Sequence, residues 1–350
     1  MNIAFVNATR KWGGVKTWYL QFAELLSQRG NRVFSYARQP EFVTQVRERA
    51  GHGEEVHFGA DLNPATVAFF LREFRKRSID IVIVNIEKEL STAGVAAKLL
   101  GIPVVQRVGL PGDIPCRPKT RLLHRWIRPR FLCPCRYIAD GFVRSLPYVR
   151  SEDVHVILNG KKATDTPLET HSPRRLIATQ QLQPDKGHET LLRALALIGD
   201  MPFELHVWGV GKSEEALQRL SRELGLGERV FWHGFSFNIM GELQTGDIFL
   251  LASLREGLPN TQLEAMAAGL LPIVRNVGGV REVIPDSLRN WVLPYEADAR
   301  AFAERIKEAL VLSDKKLVEL RNISREACRD LFDIDCKADE LECWMKDLLT

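Results

Sequence analysis

Two glutamates eight positions apart, Glu256 and Glu264, bracket the turn EGLPN directly after the apolar run IFLLASL. Pro259 closes that turn, and TQLEAMAAGL after it has helical character, which places the amides of Asn260 and Thr261 at a helix N-terminus. Such an end attracts anions through unpaired N–H groups and the helix dipole. An acid before the turn and amides within it suit a ligand that carries hydroxyls and phosphates together. A carboxylate accepting from a hydroxyl contributes about 1.5–3 kcal/mol. Glu264 has a second reading, because Thr261 and Glu264 fit the capping box T-x-x-E, in which the acid bonds back to the cap amide. That reading leaves Glu256 unexplained.

Other turns offer matching chemistry. In QLQPDKGHETLLRAL, Lys186 precedes Gly187 at the start of an amphipathic stretch. A cation ahead of a helix opposes the dipole unless an anion sits there, the alternative being a solvated loop lysine. Gly13 and Gly14, in TRKWGGVKTW, let the backbone approach a ligand at another helix start, and a plain tight turn would use them equally well. Gly209 in HVWGVGKSEE and Gly234 in FWHGF are further positions of close approach. None of these stretches is a dinucleotide G-x-G-x-x-G or a Walker loop, which argues against a nicotinamide enzyme.

The elements that must position these residues alternate between short apolar runs and amphipathic helical patterns, the grammar of an α/β protein. In the first half the runs NIAFVNA, RVFSYA, DIVIVN, PVVQRV and YIADG read as strands. In the second half RLIATQ, FELHVWG, RVFWHG, DIFLLAS and LPIVRN do. Between the first two, KTWYLQFAELLSQRG reads as a helix with Trp18, Phe22 and Leu25 on one side and Gly30 as its stop. Strands apolar throughout imply parallel sheets covered on both faces. The polar stretch 159–175 reads as a linker, so two Rossmann-like domains are expected at 1–163 and 164–330, with a cleft between them. Ligands in such sheets bind outside the carboxyl ends of the strands, where the turns above lie.

Composition agrees. With 350 residues, 45% hydrophobic and 26% charged, the chain suits two soluble domains, and no apolar run approaches bilayer-spanning length. The start MNIAFVNA is too short for a signal-peptide core, with Arg10 and Lys11 after it rather than before, so a cytosolic location is expected. The six cysteines read as reduced thiols; CPC at 133–135 with Cys116 and His124 could be counted as four ligands, but its spacing does not suit a zinc knuckle. Residues 1–165 balance at +11 and the remainder at −7, so an anionic partner is expected in the first half. There CRPKTRLLHRWIRPR, 116–130, holds six Lys and Arg and no acid. It reads either as a solvated basic surface or, with Leu122, Leu123, Trp126 and Ile127 interleaved, as an interfacial helix. It carries no recognisable nucleic-acid module.

Taken together these stretches resemble the retaining GT-B glycosyltransferases of family 4, the group 1 glycosyl transferases. EGLPNTQLEAMAAGLLPIVRNVGGVREVI, 256–284, carries the resemblance most specifically. GG at 13–14, VILNG at 156–160, DKG at 185–187 and VWGVG at 207–211 follow in the family's order. The resemblance implies two Rossmann-like domains facing across a cleft, with 331–350 crossing back to the first, and a nucleotide-sugar donor held by the second domain. Glu264 would take the ribose hydroxyls and Glu256 a hydroxyl of the donor sugar. The amides of Asn260 and Thr261, with Lys186, would hold the diphosphate, and Gly257, Leu258, Gly209 and Gly234 would line the same site. Gly13 and Gly14 would close over the diphosphate. The leaving diphosphate helps deprotonate the acceptor in such enzymes, so no metal or other cofactor is implied. Two departures stand out: Gln181 replaces the arginine usual before Lys186, and Arg107 in QRVGLPGD lies where many members place a histidine that meets the sugar. An acceptor of lipopolysaccharide or lipid-linked type, a peripheral position on an anionic inner membrane face through 116–130, and no nucleic-acid partner are further expectations. The rival expectation is an accessory protein that kept the fold and lost turnover.

Overall fold

The computed structural model describes residues 1–10 and 13–350; Lys11 and Trp12, part of the stretch that carries Gly13 and Gly14, lie outside the described residues. The chain divides into two units, Met1–Asn159 with Asp335–Thr350, and Gly160–Ile334. The boundaries expected at 163 and 330 therefore fall at 159 and 334. The start of the presumed linker is fastened to the second unit: the Lys161 amide donates to Phe332 O at 2.9 Å and the Thr164 amide to Ala267 O at 3.0 Å. Arg329 pairs with Asp165 at 2.6 Å.

The first unit holds strands β1 (Asn2–Asn7), β2 (Arg32–Ala37), β3 (His52–Glu55), β4 (Ile81–Val84), β5 (Val104–Arg107), β6 (Arg130–Cys133) and β7 (Val154–Val156). They form one parallel sheet in the order β3-β2-β1-β4-β5-β6-β7. Both faces are covered, as the continuous apolar runs predict: in β1, Ile3 and Phe5 join one core cluster, Ala4 and Val6 the other. The helix Gly14–Gln28 delivers Trp18, Tyr19, Phe22 and Leu26 to the first cluster. The C-terminal helix Ile334–Asp347 adds Ala338, Leu341 and Met345 there, so the end of the chain completes the first unit's core.

YIADG is not a strand. It lies in the helix Arg136–Ser145, where Ile138, Ala139 and Phe142 are buried at helical spacing. The strand in this region is β6, hidden at the end of the basic stretch. Two other strands escape pattern reading, HGEE in β3 because it is short and polar and VHV in β7 because it has only three residues.

The second unit holds β8 (Arg174–Ala178), β9 (Phe203–Trp208), β10 (Val230–Gly234), β11 (Ile248–Leu251), β12 (Leu271–Arg275) and β13 (Val292–Leu293). The sheet is parallel, in the order β10-β9-β8-β11-β12-β13. Arg321, on the helix Asp314–Leu331, is a buried cation fully used: it donates to Asp247 Oδ1 at 2.9 Å and to the carbonyls of Glu169, Gly246 and Gly269. In each unit the strand order reverses beside the first strand, between β1 and β4 and between β8 and β11. Chains diverge at such points and leave a crevice for ligands.

Candidate active site

In the second unit the turns after β8 and β11 meet at the reversal point. Lys186 sits in the short 3-10 turn Pro184–Lys186, ahead of the helix His188–Ala196. Gly187 is left-handed at φ 73°, and a Cβ on it would stand 2.1 Å from Ala252 O, so only glycine lets DKG cross the end of β11 so closely. This crossing brings the Lys186 ammonium to Glu256, with Nζ donating to Oε1 at 2.8 Å and to Arg255 O at 3.2 Å. Both side chains are largely but not wholly covered. The turn that carries Glu256 is stitched to VGG at 277–279. The Gly279 amide donates to Gly257 O at 2.6 Å, and a Cβ at Gly278 would fall 2.3 Å from that same oxygen. Fully buried Gln262 adds a bond from Nε2 to Val280 O at 3.2 Å.

The helix Asn260–Ala267 is capped by Pro259, not by Thr261, and has neither a side-chain cap nor an acid in its first turn. The capping box that was the alternative reading of Thr261 and Glu264 does not form, because Thr261 is already inside the helix. No acceptor is found for its amide among the described residues. Glu264 instead accepts from Lys161 Nζ at 2.8 Å. Lys161 is only 5% exposed and its backbone is pinned on both sides, its amide to Phe332 O and its carbonyl to the Ile334 amide at 3.2 Å. The result is two carboxylates, each held by one lysine, flanking a helix start that has no side-chain cap and no acid in its first turn.

Around them, the Gly209 amide donates to Gly234 O at 2.7 Å, so these two glycines are neighbours at the carboxyl ends of β9 and β10. Leu258 is buried. Gln181 is exposed. Arg275, a sequence neighbour that could have supplied the missing cation, is committed elsewhere: it donates to Ala252 O at 3.1 Å, Ala297 O at 2.7 Å and Tyr295 O. Arg281 is exposed in the turn Val280–Val283. His188 is buried, with neither ring nitrogen bonded among the described residues. Burial, and secondly the Lys186 ammonium, hold its pKa down to about 4, so it is neutral.

In the first unit Thr9, Arg10, Gly13, Gly14, Val15 and Lys16 line a cavity of about 350 Å3 after β1. Gly14 opens the helix and Gly13 is its extended N-cap. Lys16 is buried and donates to Thr9 O at 3.1 Å and to Gln39. Arg107 ends β5 inside the protein rather than on its surface, 6% exposed, its guanidinium 4.7 Å from the Trp18 ring centre and 3.3 Å from Asn159 Oδ1. Burial lowers its pKa to about 10.

Two residues of this geometry escape pattern reading. Lys161 lies in the apparent linker, 103 residues from the acid it meets. Glu89, fully buried at the reversal point of the first sheet, accepts from the Ala8 amide at 2.7 Å and the Asn85 amide at 2.6 Å, tying together the turns after β1 and β4. Burial pushes its pKa up to about 7 against those bonds. Among the described residues no three His, Cys, Asp or Glu side chains gather as a metal-binding group.

The family profile for Glycosyl transferases group 1 matches residues 161–327, and that for Glycosyltransferase Family 4 matches residues 12–161. The lipopolysaccharide core biosynthesis glycosyltransferase LpsD of Rhizobium meliloti is 30% identical over 166 residues, 45% of this chain and 44% of that protein. The chain spans less than half the length of such curated relatives, 35% and 41% in two other cases. Among solved structures, a glycosyltransferase from Rickettsia africae superposes with a TM-score of 0.88 at 16% identity, covering 100% of this chain and 98% of that one. HepE of Anabaena, in complex with UDP, gives 0.82 at 17% identity, with 99% and 100% covered.

Proposed function

We propose that this chain, which belongs to the GT-B glycosyltransferases of family 4, transfers a sugar from a nucleotide-diphosphate sugar to a glycan acceptor in cell-surface polysaccharide assembly. The observation that carries the reading is the pairing of Lys186 with Glu256, and of Lys161 with Glu264, around the start of helix Asn260–Ala267, which has no side-chain cap and no acid in its first turn. The helix amides and Lys186 hold the diphosphate, Glu264 the ribose and Glu256 the donor sugar. Binding a diphosphate draws Lys186 toward new anionic oxygens, which frees Glu256 for a sugar hydroxyl. Catalysis is then positioning and neutralisation of the leaving group, with retention at the anomeric carbon and no metal. Buried as it is, Arg107 acts by holding Trp18 and the helix behind Gly14, and by adding positive potential at that end of the sheet. The UDP complex of HepE and the lipopolysaccharide role named for LpsD support a UDP-sugar donor and a lipopolysaccharide-type acceptor as the first to try. The basic helix in 116–130 supports a peripheral position on an anionic membrane face. No helix among the described residues is long and apolar enough to cross a membrane.

A thermal-shift screen of UDP-, GDP- and ADP-sugars tests the donor, because a ligand that binds the folded state raises Tm by mass action. Turnover of the stabilising sugar nucleotide, lost in Lys186→Ala and reduced in Glu256→Gln with free nucleotide still bound, is the expected result. One observation favours a second reading, an accessory protein that binds without turnover: Gln181 is uncharged and Arg275 is locked onto carbonyls, so neither supplies Lys186 with a second cation. Nucleotide binding with no consumption of any sugar nucleotide would decide for that reading.

A further inference from the structure

The helix Pro118–Ile127 carries the chain from the carboxyl end of β5 back toward the amino end of β6, and Arg128 turns it at a positive φ of 57°. Beside that turn the segment before β7 closes a cavity of about 650 Å3. Five arginines line it, at positions 121, 125, 128, 130 and 150, against a single acid, Asp153. That acid is already shared by Arg130 at 2.8 Å and Arg150 at 3.2 Å. Arg121, Arg125 and Arg128 have no carboxylate partner among the described residues.

The polar floor of the cavity is fixed and uncharged. Gln106 donates from Nε2 to Asn85 O at 3.4 Å, so its Oε1 accepts from His124 Nε2 at 2.9 Å. His124 Nδ1 is then the acceptor for the Tyr148 hydroxyl at 3.2 Å. Arg121 stands 5.7 Å from the Tyr148 ring centre.

A structural role accounts for only part of this charge. The end of a helix carries about half a negative charge, which one cation offsets. Three unpaired guanidiniums around a cavity repel one another unless an anion joins them. The cavity is not part of the candidate active site either: it opens at the amino end of the first sheet, whereas Gly13 and Gly14 follow the carboxyl end of β1. The helix of ten residues between the two ends of the sheet spans about 15 Å. On that helix Leu122 is 68% and Trp126 43% exposed, one turn apart, beside the cationic rim. An apolar pair next to a cationic recess large enough for a phosphorylated headgroup fits the headgroup boundary of a bilayer, with the pair in the acyl margin.

We propose that this cavity is a built site for the phosphate of an anionic membrane lipid, favouring a phosphomonoester dianion over a phosphodiester. The proposal rests on the peripheral-membrane reading above and goes beyond it, because a diffuse basic surface responds to total charge and not to headgroup chemistry. The test uses the full chain with phosphatidylcholine vesicles containing phosphatidic acid or phosphatidylglycerol at matched surface charge. Tighter binding to the phosphatidic acid vesicles is expected. Arg121→Ser/Arg125→Ser/Arg128→Ser should lower partitioning roughly a hundredfold, at about fivefold per arginine, with Tm unchanged. Leu122→Ser/Trp126→Ser should weaken vesicle binding while leaving intact the inorganic phosphate binding that, measured in a Lys186→Ala background to silence the diphosphate site, the triple variant loses. Equal binding to the two charge-matched vesicles would overturn the headgroup site and leave the membrane reading standing. Binding to neither vesicle overturns both. Phosphate binding in the Lys186→Ala background that the triple arginine variant loses, without vesicle binding, overturns the lipid as ligand and assigns the cavity to a soluble anion.

Discussion

Lys161 makes Glu264 a different kind of residue from a helix cap. A partly buried carboxylate with one lysine on Oε1 keeps a fixed orientation and retains lone pairs for a ligand hydroxyl. If the ribose is that ligand, Lys161→Met should weaken nucleotide binding about tenfold, the worth of one charged hydrogen bond lost from the site. The same substitution should shrink the penalty for a 3′-deoxyribose nucleotide, as Glu264→Gln should, in calorimetric titrations. Undiminished affinity in both variants would return Glu264 to a purely structural role. The two acids and Lys186 could be named as candidates because each stands in or just after a turn that follows an apolar run, although nothing in the sequence shows that Lys186 meets Glu256, 70 residues away. Lys161 could not, because nothing near NGKK indicates a carboxylate 103 residues away.

At the scale of elements, the turns rather than the strands carry the information, and they depend on single residues. Gly187→Ala would add both a disfavoured φ and an overlap with the Ala252 carbonyl 2.1 Å away. The chain must then lift DKG from the end of β11, separating Lys186 from Glu256. The expected outcome is a clearly lower Tm together with loss of nucleotide binding, whereas Gly30→Ala, at a surface helix stop with open space around it, should lower Tm alone. Glu89 does the corresponding work in the first unit, and its effect depends on pH. Its pKa rises from 4.5 to about 7 on folding. Between those values the folded chain holds a proton that the unfolded chain has released, so stability falls as pH rises through the window, by about 3 kcal/mol. Glu89→Gln should flatten that slope, read as exchange protection of the Ala8 and Asn85 amides below and above the window. The strand YIADG was misread for a related reason. Five residues with two apolar neighbours fit either period, and only Phe142, one turn beyond Ile138, reveals the helical face.

For the whole molecule, the alternation of runs was enough to read two parallel sheets. The return of the chain was expected from the family resemblance alone, and the order of the strands was not read from the sequence, because packing between distant segments leaves no local period. The return has a thermodynamic consequence. Ala338, Leu341 and Met345 are fully buried in the first unit's core, Trp344 stacks on His155 at 4.6 Å, and Arg29 holds Asp339 at 2.6 Å. Leu341 and Met345 alone contribute about 1.5–3 kcal/mol each, against a total stability of about 5–15 kcal/mol for a domain. Removing 335–350 should therefore destabilise Met1–Asn159, although the cut adjoins the second unit. The second unit keeps its own core and the Arg321–Asp247 pair, so it should still bind nucleotide. Calorimetry of the shortened chain should show one transition shifted to lower temperature and another, raised by nucleotide, left in place. A single transition lowered as a whole would mean that the two units unfold together, with the last helix stabilising both.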